Sequence, residues 1–108
     1  MISINDFGKI DLRVAEILEV EDHPNADKLY VLKIKIGDEE RSLVAGIKNH
    51  YSKKELVGKK IIVIANLEPA ELRGVKSEGM LLAASNNSKE NVVLVTVDKN
   101  IESGSKIG

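Results

Sequence analysis

The length, composition and charge of this chain set narrow bounds. Its 108 residues, 43% of them hydrophobic and 31% charged, suit one ordered domain that spans residues 1–108 and has a single core. It has no cysteine and only two histidines, which excludes disulfides and thiolate metal sites, and we expect no metal and no other cofactor. Because 16 basic and 17 acidic residues leave a net charge of −1, any surface for a polyanion has to be local.

The sequence shows no sign of export or of membrane insertion. No apolar stretch approaches the roughly 20 residues of a membrane-spanning helix. The segment Met1–Asp6 lacks the basic and apolar regions of a signal peptide. We therefore expect a cytoplasmic protein without membrane contact.

The first predicted elements are a short helical turn and a long strand. Ser3 is a candidate N-cap for one turn of helix. From Ile10 to Val20 apolar and polar residues alternate, as in a half-buried strand, but the alternation slips after Ala15. The slip predicts a bulge or bend within this strand.

A hairpin follows the first strand. The segment His23–Asp27 contains the turn formers Pro and Asn, and residues Leu29–Ile36 alternate again as a second strand. Gly37 and Asp38 predict a hairpin turn into a third strand over Arg41–Ile47.

The rest of the chain adds one helix and further strands. Ser52–Gly58 predicts a helix of about two turns, since Ser52 and Glu55 form a capping-box pattern. The predicted strands that follow are Ile61–Leu67, Gly79–Ala84 and Val92–Val97. This order predicts an all-β OB-fold, a five-stranded Greek-key barrel with a short helix between the third and fourth strands. The last strand and the tail to Gly108 are then additions to the barrel.

Three segments carry a family resemblance: Asp11–Val14, His23–Tyr30 and Asn66–Ala84. Together they resemble the tRNA-binding domain found at the C-terminus of many methionyl-tRNA synthetases and, alone, in small tRNA-binding proteins. The resemblance extends over nearly the whole chain. It implies non-catalytic tRNA binding that assists a synthetase, and it favours the methionyl enzyme, as its C-terminal domain or beta subunit. The chain lacks the nucleotide-binding signatures of a synthetase catalytic domain, so we expect no enzymatic activity.

The candidate binding residues lie on the second and third predicted strands and in the flanking loops His23–Lys28 and Glu68–Ser77. Long cations at such positions neutralise phosphates, and arginine can bind a phosphate through two hydrogen bonds. The candidate cations are Lys28, Lys33, Arg41, Arg73 and Lys76. Ordinary surface charge is the alternative for each, and the resemblance favours function for Lys28 and Arg73.

The resemblance adds two uncharged candidates, Ser77 as a hydroxyl donor and Met80 as an apolar contact to a base. The alternatives are a core position for Met80 and a barrel kink at Gly79. Asn25 has two interpretations: it forms the turn after Pro24, or its amide contacts a base edge.

Two features of the sequence indicate which kind of ligand it suits. Glu68 and Glu71 stand where many members of the family have lysine, which weakens a basic groove. Only two tyrosines and one phenylalanine are present, so the chain offers few stacking platforms for single strands. A ligand recognised through its folded shape and its phosphates, such as tRNA, fits this composition better.

The resemblance also implies a homodimer, with contacts made by Ile2–Phe7 and by the tail from Val92 onward. Two other functions stay open. One is an export-related chaperone that binds extended peptides in a dimer groove, which the acidic Glu68 and Glu71 favour; the other is a pure dimerisation module. Cations gathered on one side favour RNA, whereas cations separated by these carboxylates favour peptide.

Overall fold

A strongly curled antiparallel sheet forms the body of the protein in the computed structural model, which describes all of residues 1–108. The helices are α1 (Ile4–Phe7) and α2 (Lys53–Leu56). The strands are β1 (Leu12–Asp22), β2 (Tyr30–Ile36), β3 (Glu39–Ala45), β4 (Lys60–Ile64), β5 (Ala70–Leu72), β6 (Val75–Ser77), β7 (Met80–Leu81), β8 (Ala83–Ser85), β9 (Val92–Leu94) and β10 (Lys106–Ile107). Neither helix is long and apolar enough to cross a membrane.

The main sheet runs in the order β3-β2-β1-β4-β7, and its two outer strands meet. The backbone N–H of Glu78 donates to Ser42 O at 2.8 Å, and the N–H of Val44 donates to the Ser77 hydroxyl at 3.0 Å. These bonds satisfy the edge of β3, which would otherwise expose unpaired backbone groups. The predicted OB-fold barrel, with its helix between the third and fourth strands, is confirmed.

Strand β1 is the longest element and pairs with three other strands, one of which is β10 at Leu12 and Arg13. Its first half pairs with β4, from Leu12 to Glu16, and its second half pairs with β2 as far as Asp22. The register with β2 shifts between Ile17 and Glu19. The predicted irregularity is therefore present, and it lets one strand bend across the barrel.

The core lies inside this curled sheet. Alternate residues of β2 point inward, as Tyr30, Leu32 and Ile34 are buried while Lys33 and Lys35 are exposed. The core cluster consists of Ala15, Ile17, Tyr30, Leu32, Ile34, Leu43, Ala45, Ile47, Leu56, Ile61, Val63 and Leu94. The alternation that predicted the strand thus also predicted its inward face.

Several predicted boundaries were wrong. The helix has one turn rather than two, because Val57 leaves the helical region and Gly58 follows with φ +86°. Its capping box at Ser52 is present, and Leu56 is buried. The predicted strand Gly79–Ala84 is divided into β7, which pairs with β4, and β8, which pairs with β9, and the predicted strand Val92–Val97 ends at Leu94.

The larger correction concerns residues 68–77, which the sequence predicted as a loop. They contain the hairpin β5–β6, paired from Ala70↔Ser77 to Leu72↔Val75. Short hairpins of exposed residues give weak periodicity, so the pattern did not reveal these strands. The loop between the fourth and fifth barrel strands is consequently an ordered arm with a defined tip.

Candidate nucleic-acid interface

The first loop and the tip of the β5–β6 hairpin meet at one end of the barrel, and we call this region the loop–hairpin corner (residues 23–29 and 70–77). His23 joins the two parts, although it is only 5% exposed. Its Nδ1 accepts the N–H of Asn25 at 2.9 Å, and its Nε2 lies 2.8 Å from Leu72 O. Since Nδ1 accepts a hydrogen bond, it is the unprotonated nitrogen, and Nε2 is the nitrogen that donates to the carbonyl. The sequence placed His23 in a motif without revealing this role.

Asn25 and Arg73 are joined by reciprocal hydrogen bonds. The Asn25 amide Nδ2 donates to Arg73 O, and the Arg73 guanidinium Nη2 donates to Asn25 O, both at 3.1 Å. The structure thus gives the Asn25 side chain a role in joining the loop to the hairpin. Contact between this amide and a base edge stays a prediction.

The tip of the hairpin is a two-residue turn formed by Arg73 and Gly74. Their φ angles are 55° and 90°, which is the pattern of the type I′ turns that favour Asn-Gly. A left-handed backbone at a residue with a long side chain costs on the order of 1 kcal/mol. Arg73 is exposed, and no carboxylate lies within ion-pair distance of its guanidinium. The hairpin therefore presents an unpaired cation at its tip.

Lys28 and Lys76 belong to the same corner and are also exposed without an ion pair. Lys76 lies opposite Glu71 in the hairpin ladder, so a carboxylate stands beside it. Of the predicted cations, Lys28 belongs to the first loop and Arg73 and Lys76 belong to the hairpin, and the hydrogen bonds between Asn25 and Arg73 join these two segments.

A second group of charges lies where β1 enters the corner. Lys48 and Lys53 each approach a different oxygen of Asp22, both at 3.1 Å. Their hydrogen bonds, Lys48 first, lower the pKa of the Asp22 carboxyl below its usual 3.8. One carboxylate neutralises only one of the two lysines, so this group keeps a positive charge. The sequence showed these lysines as charged residues but not their convergence on Asp22.

An apolar pocket of about 280 Å³ lies between the hairpin and the outer side of β3. Val44, Leu67, Leu72 and Met80 line it, and Glu68 stands at its edge. Met80 is 47% exposed, which excludes the core interpretation. Its contact with a base stays a prediction.

Ser77 is placed differently from Met80. It is buried, and its hydroxyl accepts the N–H of Val44 while it donates to Gly79 O at 3.2 Å. The donor predicted for RNA is therefore used within the protein. Gly79 has φ +135°, and a Cβ there would lie 3.0 Å from Ile64 O, in agreement with the alternative of a kink.

Lys33 and Arg41 do not join the corner, and they point to opposite faces of the sheet. Lys33 pairs in register with Ser42, and the neighbouring pair joins Arg41 to Ile34 on the inward face. The Lys33 amine lies 3.9 Å from a Glu40 oxygen and shares a shallow pocket with Glu19 and other residues of the outer face.

Arg41 closes the opposite end of the barrel. Its Nε is 2.6 Å from Glu39, and its Nη1 donates to Ala65 O at 2.5 Å and to Glu78 O at 3.4 Å. The hydrogen bond that Arg41 Nε donates to Glu39 raises the pKa of Arg41 and lowers the pKa of Glu39. With so many partners within the chain, Arg41 is fixed in place by the barrel.

Carboxylates therefore stand among the candidate cations. Glu71 lies beside Lys76, Glu68 borders the apolar pocket, and the Lys33 face is acidic. Of the predicted cations, those of the loop–hairpin corner are the ones without an ion pair, whereas Lys33 and Arg41 each pair with a glutamate.

Comparison with known proteins identifies the family. Residues 12–106 match the family described as "Putative tRNA binding domain". The chain is 54% identical over 106 residues to the methionine–tRNA ligase of Pyrococcus horikoshii, covering 98% of this chain and 14% of that protein. It is 57% identical over 106 residues to the enzyme of Caldanaerobacter subterraneus, covering 98% and 16%. The chain thus spans only a small part of these curated relatives.

Two solved structures share the whole fold. A MetRS related protein from Pyrococcus horikoshii superposes with a TM-score of 0.93 at 31% identity, covering 100% of this chain and 98% of that one. The CsaA chaperone protein from Picrophilus torridus gives a TM-score of 0.90 at 42% identity, with 100% of both chains covered. Sequence and structure agree that this chain is a member of the tRNA-binding domain family.

Proposed function

We propose that this chain binds tRNA without catalysing a reaction and assists an aminoacyl-tRNA synthetase, specifically the methionyl enzyme, in the cytoplasm. The family match supports tRNA as the ligand. The identity to methionine–tRNA ligases supports the choice of synthetase.

Arg73 is the observation that carries the proposal. At this turn the backbone would accept Asn or Gly without strain, yet the chain places an exposed arginine there. Strained residues of this kind cluster at functional sites, where the side chain justifies the cost. A guanidinium at the tip of an ordered arm suits a bidentate contact with a phosphate.

The remaining corner residues extend that contact. Lys28 in the first loop and Lys76 in the hairpin are further exposed cations, and Lys48 and Lys53 hold Asp22 at the end of β1 that leads into the first loop. Because phosphate contacts carry no sequence information, such a surface selects the spacing of phosphates on a folded RNA rather than a base sequence. An unpaired base could also enter the apolar pocket beside Met80.

A module of this kind acts through effective concentration. When it is linked to a catalytic domain or associated with one, each bound tRNA stays near the active site, and the overall affinity rises without any new contact there. No residue of the module has to take part in the reaction.

We further propose that the chain forms a homodimer. Large apolar side chains are exposed on the N-terminal segment and on the C-terminal extension: Ile2, Ile4, Phe7, Val93, Val95 and Ile101. A two-fold interface would bury them. Sedimentation at micromolar concentration should give the mass of two chains; a monomer would contradict the dimer and leave tRNA binding unaffected.

Peptide binding is the second candidate, supported by two observations. The chain shares its whole fold with a CsaA chaperone protein, and Glu68 borders an apolar pocket. An extended basic peptide would place apolar side chains in such a pocket and its cations beside the carboxylate.

Binding of labelled total tRNA at a series of salt concentrations tests the proposal. An unstructured RNA of equal length and an extended basic peptide serve as competitors. We expect log affinity to fall with log salt by a slope of roughly three or more, as several displaced counterions require, and we expect weak competition by unstructured RNA. Absence of tRNA binding at low salt together with peptide binding would favour the chaperone function.

A further inference from the structure

The β5–β6 hairpin is attached to the barrel by few hydrogen bonds. At its base, Ser77 bonds to Val44. Between residues 67 and 76, every hydrogen bond to the rest of the protein runs to His23 or Asn25. The position of the tip therefore depends on these two residues of the first loop.

His23 has two functions in this attachment. Its Nε2 holds the hairpin at Leu72 O, immediately before Arg73. Its Nδ1 accepts the N–H of Asn25, two residues ahead, which shapes the loop so that the Asn25 amide reaches Arg73 O. Burial makes both bonds difficult to replace by water, since a lost partner leaves a desolvated polar atom.

Asn25 restrains both the backbone and the side chain of Arg73. Its amide holds the backbone carbonyl of the turn, and its own carbonyl accepts one guanidinium N–H. Arginine has five N–H donors, so four remain for a ligand after this bond. The guanidinium is therefore oriented and still able to bind a phosphate through two hydrogen bonds.

We propose that His23 and Asn25 are positioning residues for tRNA binding, which fix the hairpin tip so that Arg73 is presented in its binding orientation. The inference rests on the proposed function, because it takes Arg73 as a tRNA contact. Its physical basis is preorganisation: a long side chain on a mobile arm loses conformational entropy on binding, whereas a restrained one has already lost it in folding.

A double-mutant cycle tests the positioning role. Asn25→Ala removes the bond to Arg73 O at an exposed site, where water can replace the lost partner. We expect it to lower tRNA affinity by about fivefold in the parent chain and by less than about twofold in an Arg73→Ala background. Asn87→Ala is the matched control, an exposed turn asparagine without a side-chain hydrogen bond, and should leave the affinity unchanged in both backgrounds.

His23 is tested with two variants that each keep one bonding position. Asn at position 23 retains an acceptor for the Asn25 N–H, and Gln retains a donor that reaches towards Leu72 O. We expect His23→Asn and His23→Gln each to keep more affinity than His23→Ala in the parent chain. In an Arg73→Ala background, the three His23 variants should have nearly equal tRNA affinities. Thermal unfolding followed by circular dichroism identifies any variant that does not fold.

The outcomes separate the two proposals. If the parent chain fails to bind tRNA, the proposed function and the positioning role are both wrong. If the parent chain binds and the Asn25→Ala loss is equal with and without Arg73, the positioning role alone is overturned. The Asn25→Ala result tests the role of Asn25, and equal losses in the His23 variants with and without Arg73 would overturn the role of His23.

Discussion

The two ends of the barrel use arginine in opposite ways. At one end Arg41 is largely buried and bonded to Glu39, Ala65 O and Glu78 O, while Arg13 beside it pairs with Asp11 and donates to Gly104 O. At the loop–hairpin corner Arg73 is exposed, bonded once through its side chain, and without a carboxylate within ion-pair distance.

The difference shows what makes a cation available to a ligand. A guanidinium whose donors are used by carboxylates and carbonyls closes a structure, and removing it leaves those partners unsatisfied. A guanidinium whose donors face solvent can exchange water for phosphate at little cost to the fold. We therefore expect substitutions at the two ends to separate stability from binding.

The largest effect should come from Arg41→Ala. It leaves two backbone carbonyls at the barrel end without their donor, and we expect the free energy of unfolding to fall by about 2–3 kcal/mol. Urea denaturation measures this change. The tRNA affinity of the folded protein should change by less than about twofold, since Arg41 faces away from the corner. A large loss of affinity in a fully folded variant would show that Arg41 also contributes to tRNA binding.

Next in size is the effect of Arg73→Glu on tRNA binding. We expect at least a tenfold lower affinity, about 1.4 kcal/mol, and a salt slope smaller by about 1, because a phosphate contact is replaced by repulsion. The control is Lys89→Glu, which makes the same charge change at the other non-glycine residue with positive φ, 58° against 55°. Equal losses in both variants would point to a nonspecific effect of net charge.

A smaller effect is expected from replacing either residue with Asn, which tolerates the left-handed region better. Lys89→Asn should raise the free energy of unfolding by roughly 0.5 kcal/mol with unchanged tRNA binding. Arg73→Asn should leave stability nearly unchanged, since relief of strain is offset by loss of the bond to Asn25 O, and should weaken tRNA binding. Thermal melts measure the stability of each variant, and the binding titration measures its tRNA affinity. Unweakened binding by Arg73→Asn would remove the argument that strain at the tip serves tRNA.

The smallest effect concerns acid stability at the lysine group. Because Lys48 and Lys53 lower the folded-state pKa of Asp22, its ionised form stabilises the fold above the unfolded pKa, and this contribution is lost as pH falls through the folded value. We expect Asp22→Asn to be less stable than the parent at neutral pH, with the difference vanishing once the pH has fallen through the lowered folded-state pKa of Asp22. Chemical denaturation at several pH values checks this sign; a constant difference would show that charge is not its cause.

The barrel was predictable because its signals are local. The alternation in β2, the Gly37 turn and the capping box at Ser52 each depend on neighbouring residues, and each was confirmed. The β5–β6 hairpin was not predicted, because its ladder is three pairs long and its side chains are mostly exposed, so no apolar period marks it.

The candidate site, too, has features that the sequence predicts and features that only the fold reveals. Sequence alone determined the fold class, the family and the residue types available for phosphates, since these follow from periodicity and motif. Only the tertiary structure decided which cations are free: it placed Arg41 among carbonyls, Lys33 among carboxylates and Arg73 at an open tip. The physical reason is that a cation's role depends on partners far away in sequence, as in the 48-residue separation of Asn25 and Arg73, and folding alone brings those partners together.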